Sequence, residues 1–173
     1  MATLGLKEED TPNADQSKLE ELDATVKSGA NWFYWIAGLS VINSLIYLSG
    51  SEWQFLAGLG ITQLADGFVD VAIENGAPSA MKAVSLVFSF IVVAFFALLG
   101  YYGGKRSSIA FVIGIVIYLL DGLLVLLLGE FLVAGFHAVA LFFLIRGFLA
   151  CRQANAIDNA RPFAPPPPPP ATL

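Results

Sequence analysis

The sequence predicts an all-helical integral membrane protein of four spans, with one further amphipathic or re-entrant helix. Three observations carry that expectation. Apolar residues make up 57% of the 173-residue chain and charged residues 13%, against about 25% charged in soluble domains. The mean hydropathy is +0.71, and the apolar residues fall in runs of about 20, the length a bilayer crossing requires. Most of the charged residues lie outside those runs, and they are densest near the N terminus. A net charge of −5 offers no basic face to nucleic acid.

The first 29 residues read as an acidic, water-soluble arm. Glu8, Glu9, Asp10, Asp15, Glu20, Glu21 and Asp23 outweigh Lys7, Lys18 and Lys27. Ser17 followed by Glu20 fits a capping box, and Leu19, Leu22 and Val26 recur at helical spacing. This predicts a short amphipathic helix broken at Ser28-Gly29. The start carries no apolar signal-peptide core, so the first span is expected to serve as an uncleaved signal. Residues 30–151 form the membrane domain, opening with the run Ala30 to Ser49. Its Trp32, Phe33, Tyr34 and Trp35 belong at headgroup level.

The stretch from Trp53 to Ile73 is ambiguous. It is long enough to span, yet Gln63, Asp66, Asp70 and Glu74 share one helix face while Ile61, Leu64, Phe68 and Val71 share the other. Two aspartates near a bilayer centre cost about 2.5–3.5 kcal/mol each, against gains of a few tenths per apolar residue. Lipid-facing insertion is therefore disfavoured. Either the acidic stripe turns into a bundle, or the segment lies at the interface with the stripe in water. Loop charges favour the four-span count: Lys18, Lys27, Lys105, Arg106, Arg152 and Arg161 then share the cytoplasmic side with both termini, and only Lys82 lies opposite. Five spans remain the alternative.

Three further runs follow, about Ser79 to Tyr102, Ile109 to Leu128 and Phe131 to Leu149, each of spanning length. The last two are joined at Gly129-Glu130 and should form an antiparallel hairpin. Asp121 and His137 stand about eight residues to either side of that turn, hence roughly 12 Å below it and at one depth. Asn43 and Ser89 fall at a similar depth, which predicts an intramembrane polar layer of Asn43, Ser89, Asp121 and His137. Ionisable residues in a membrane seldom face lipid, so Asp121 and His137 are expected to point inward and to pair.

Tyr101, Tyr102, Lys105 and Arg106 read as a cytoplasmic interfacial anchor, and Arg146 can snorkel from the inner end of the last run. Four-residue spacings of small residues (Gly100 and Gly104, Ser85 and Ser89, Ser40 and Ser44, Ala134 and Ala138) mark packing faces. Cys151 is the only cysteine, which excludes an internal disulfide and a multi-cysteine zinc site. Beside Arg152 it reads as an inert interfacial thiol, with palmitoylation as the alternative. Residues 152–173 are a polar, proline-rich tail. Pro165 to Pro170 should form a polyproline II rod about 19 Å long, a spacer or a segment for a partner's aromatic groove.

The run Gly38-Leu-Ser-Val-Ile-Asn43 and the later Gly58-Leu-Gly-Ile-Thr-Gln-Leu-Ala-Asp-Gly67 resemble stretches of small, uncharacterised bacterial multi-span membrane proteins. The resemblance covers about 40 residues. It implies a bacterial inner-membrane protein and assigns no activity or residue role.

No hydrolase elbow, zinc-protease helix or second histidine accompanies Asp121 and His137, so no catalytic set, metal site or cofactor is expected. Two function classes lead, and a membrane enzyme acting on lipid or quinone is the remaining alternative. The first is a non-catalytic accessory or scaffold subunit that works among lipid and other membrane subunits or copies of itself. The second is a small proton- or cation-conducting transporter or channel using the Asp/His pair, with Asp66 and Asp70 at its outer vestibule. Asp121→Asn is expected to abolish flux in the second and barely matter in the first.

Overall fold

A computed structural model describes residues 11–49 and 59–160. The first ten residues, the start of the ambiguous stretch from Trp53 to Gly58, and the tail with Pro165 to Pro170 lie outside the described residues. The described residues form five helices: α1 (Thr11–Leu48), α2 (Gly60–Glu74), α3 (Met81–Gly104), α4 (Ser108–Leu127) and α5 (Phe131–Ala160). Among the described residues there is no strand. Helices α3, α4 and α5 are each long and apolar enough to cross a membrane.

The expected break at Ser28-Gly29 does not occur, because α1 runs unbroken from Thr11 to Leu48. A glycine inside a helix costs only about 1 kcal/mol, and here it allows the closest approach between α1 and α5. A Cβ added to Gly29 would stand 2.5 Å from the Cα of Gly147. The two antiparallel helices cross backbone to backbone at these positions. Trp32 then stacks on Phe143, centroids 4.7 Å apart.

The chain after Leu149 likewise stays helical to Ala160 rather than turning into an irregular tail. Its extension lies along the first half of α1 and buries Cys151 and Ala154 completely. The stripe of Leu19, Leu22 and Val26 is covered by the chain itself: Leu19 and Val26 are buried and Leu22 packs against the core. Cys151 lies 3.4 Å from Ser108 Oγ of α4 and is not presented for acylation.

Helix α1 packs mainly on α3 and α5, and α4 closes the group by packing on both of those. The core is aromatic: Phe33, Phe96, Phe111 and Tyr118 are all buried, with Ile36, Ala140 and Leu144 between them. Phe33 meets Phe96 and Phe111 at centroid distances of 6.2 and 5.8 Å. Gly114 provides the room for Phe33, whose ring occupies the space a Cβ there would take. The opposite faces are exposed and apolar, including Val84, Ile91 and Leu98 on α3, Val116 and Leu120 on α4, and Phe142 on α5.

Helix α2 is different in kind. Its 15 residues extend about 22 Å, less than a hydrocarbon layer of about 30 Å. It leans on α3, α4 and α1, turning Val69 inward and leaving Leu64, Phe68 and Val71 exposed.

Candidate functional site

Helix α2 begins in the interior without a cap of its own. The residue before it, Leu59, is extended, fully buried and unable to accept a hydrogen bond through its side chain. The first N–H groups of a helix have no partner within it, and leaving them dry is costly. Other helices supply the acceptors here. The Leu59 N–H donates to Ser40 Oγ of α1 at 3.0 Å. The N–H groups of Gly60 and Ile61 donate to Asp121 Oδ2 and Oδ1 of α4, both at 2.8 Å. The Thr62 N–H returns to the Leu59 carbonyl at 3.3 Å. Asp121 is thus a cap delivered from another helix, and its carboxylate faces the positive end of the α2 dipole.

Gly60 makes this approach feasible, since Val125 Cγ1 fills the place of any Cβ there. A second partner reaches the same carboxylate. His137 Nε2 lies 2.9 Å from Asp121 Oδ2, while Nδ1 lies 2.9 Å from the Val133 carbonyl one turn earlier in α5. A carbonyl only accepts, so Nδ1 carries a proton. The line from Nε2 to Oδ2 then holds one more: an imidazolium facing a carboxylate, or a neutral ring facing a carboxylic acid. Tyr118 stacks on the imidazole, centroids 4.4 Å apart and rings 15° from parallel. Asp121 and His137 are 6% and 1% exposed, which seals the pair inside the protein. Both stand six residues from the hairpin end of their helices, about 9 Å deep.

Asn43 and Ser89 do not join this pair, whose hydrogen bonds go to Gly60, Ile61 and Val133. Ser89 is buried, and among the described residues its Oγ, Ser44 Oγ and the Tyr118 hydroxyl have no hydrogen-bond partner. Two of the four residues on the acidic face turn into the bundle. Tyr47 donates to Asp70 Oδ1 at 2.8 Å, Ser85 donates to Asp66, and Lys82 stands 3.6 Å from Asp70. Gln63 instead lines a groove between α2 and α4, and Glu74 is exposed.

The four anchor residues also divide. Tyr101 and Tyr102 are exposed, and the Lys105 ammonium lies 4.1 Å from the Tyr101 ring centroid. Arg106 turns away from the surface with φ 61°. Its guanidinium pairs with Asp23 of α1 and Asp158 of α5, and Asn155 donates to its carbonyl at 3.1 Å. This clamp ties three segments together. The Arg106 guanidinium holds the Asp23 carboxyl below its ordinary range, and Asp23 in turn raises Arg106.

Reasoning from the sequence missed the cap on α2, the Arg106 clamp and the Gly29–Gly147 crossing. One signal for the first was present: a helix opening at Leu59-Gly60 with no Ser, Thr, Asp or Asn beside it requires an acceptor from elsewhere. Among the described residues no group of three or more His, Cys, Asp or Glu side chains is placed to hold a metal ion. An apolar recess of about 280 Å³ between α2, α3 and α4 touches Asp121 and is otherwise lined by residues such as Leu59, Ile91 and Phe96. Comparison with protein-family models, curated proteins and solved structures finds no match to this chain.

Proposed function

We propose that this chain is a non-catalytic integral membrane protein, a helical accessory or scaffold subunit of a membrane complex. In this reading it has four spans, a re-entrant α2 and both termini on the cytoplasmic face of a bacterial inner membrane. One observation carries the functional part: the carboxylate of Asp121 is already committed to two backbone N–H groups and His137. A group so engaged holds a half-helix in place and has little capacity left for traffic. The fourth span is supported by the second half of α1, which exposes Trp35, Ile42, Leu45 and Leu48 outward beside α3 and α5. The re-entrant reading is supported by the short length of α2 and by the burial of its first residues at the level of the Asp–His pair. The bacterial setting rests on the sequence resemblance.

Topology is tested with Ala77→Cys in a Cys151→Ser background. An impermeant thiol reagent should reach it from the outer side only, and labelling from the cytoplasmic side alone would contradict four spans.

The alternative, a proton conductor, draws support from the shared proton of the pair and from the buried hydroxyls of Ser44, Ser89 and Tyr118, which have no hydrogen-bond partner among the described residues. Reconstituted protein should show no proton flux above empty liposomes if the scaffold reading holds. Flux that disappears in a folded Asp121→Asn variant would establish the alternative.

A further inference from the structure

Two grooves meet at Arg146, on either side of its place in α5. Toward α1 the guanidinium shares a groove of about 300 Å³ with Ser28, Thr25 and Glu21. On the other side lies an apolar groove of about 350 Å³ that includes Phe142 and Ile145. Arg146 is exposed, and among the described residues it has no ion pair or hydrogen bond. The Thr25 hydroxyl is engaged with the Glu21 carbonyl at 3.1 Å. The Ser28 hydroxyl is exposed, and among the described residues it has no partner.

Depth orders these groups. Arg146 lies 15 residues beyond Phe131, about 22 Å along α5, so in a hydrocarbon layer of about 30 Å its long stem reaches the headgroups on the side of the N-terminal arm. The Gly29–Gly147 crossing sets Ser28 beside it. Glu21 stands seven residues earlier in α1, about 10 Å further toward water. From bilayer to water the order is apolar surface, guanidinium and hydroxyl, then carboxylate. A zwitterionic aminophospholipid presents the complementary order of acyl chain, phosphate diester and ammonium.

We propose that this junction of α1 and α5 binds such a lipid. Arg146 and Ser28 hold the phosphate, Glu21 faces the ammonium, and an acyl chain lies over Phe142 and Ile145. Glu21 also disfavours a headgroup with net negative charge, which separates this site from a generic basic patch. The proposal rests on the membrane reading above.

The test is native mass spectrometry of the full chain released from nanodiscs of equimolar phosphatidylethanolamine, phosphatidylglycerol and phosphatidylcholine. The ethanolamine lipid should be retained severalfold over the other two. Arg146→Gln should lose that retention, while Arg146→Lys keeps part of it and reports on folding. Glu21→Gln should erase the preference for ethanolamine over glycerol, and Arg152→Gln should change nothing. Equal retention of the three lipids, or unchanged retention in Arg146→Gln, would overturn the site. Unchanged headgroup preference in Glu21→Gln would overturn the role of the ammonium. Displacement of the lipid by millimolar inorganic phosphate would identify a free-phosphate site instead, and that too would overturn the proposal. A chain that stays in solution without detergent would overturn the membrane reading; one that needs detergent yet shows no lipid preference overturns this site alone.

Discussion

Asp121 decides how α2 begins, and substitution there separates capping from mere burial. An asparagine has one acceptor oxygen where the carboxylate offers two, and its NH₂ would face an N–H donor. Asp121→Asn should therefore leave a buried backbone donor unpaired, at about 1–3 kcal/mol. The measurement is amide hydrogen exchange over residues 59–62, which should speed up while exchange in the core of α5 holds. Unchanged exchange would mean that the cap contributes nothing. On this account the substitution matters in a scaffold as well, so a flux assay on it must include a folding check. Gly60→Ala makes the same point sterically, because Val125 fills the space the new methyl requires. It should lower thermal stability, and adding Val125→Ala should restore part of the loss. If the double variant is no better than the single one, the crowding account fails.

At the scale of elements, the Arg106 clamp gives a pH dependence with a definite sign. Asp23 is held below 3.8 in the folded protein, so its contribution is fully present above that value and is lost as pH falls through the lower folded value. The hydrogen bond to Asp23 raises Arg106 further above its ordinary, already basic range, so its side of the pair is constant through the physiological range. Both groups are partly solvated, and the pair is worth at most about 1 kcal/mol. Spin labels on the first half of α1 and on the α5 extension should separate as pH falls below the ordinary carboxylate range. Arg106→Gln should remove that transition, and a transition that survives it would locate the titration elsewhere. The helical crossing admits a harsher test. Gly147→Leu drives a side chain into Gly29 and Phe111, and should part α1 from α5 and weaken the Trp32–Phe143 stack, read as a change in tryptophan emission. An unaltered spectrum would contradict the close backbone crossing.

Helix periodicity and length made α3, α4 and α5 readable from the sequence, because a run of about 20 apolar residues has few other uses. Equal spacing from Gly129-Glu130 likewise set Asp121 and His137 at one depth, and the hairpin brings them to 2.9 Å. What failed was punctuation. Ser28-Gly29 has the composition of a helix stop, but a glycine is also where two helices touch, and only the partner helix distinguishes the two. The cap on α2 links residues 61 positions apart and leaves no local pattern. Arg106 has the surroundings of a lipid anchor, and its actual partners Asp23 and Asp158 are distant in sequence.

As a whole molecule the chain commits its buried ionisable groups to holding itself together and presents apolar helix faces outward. Its central claim is that it serves as one subunit among others. The direct measurement is to isolate it from its native membrane in mild detergent, determine the particle mass and identify every polypeptide present. The account predicts a particle of defined mass containing other membrane proteins in fixed ratio to this chain. A lone monomer, or a symmetric assembly of this chain alone, would contradict it.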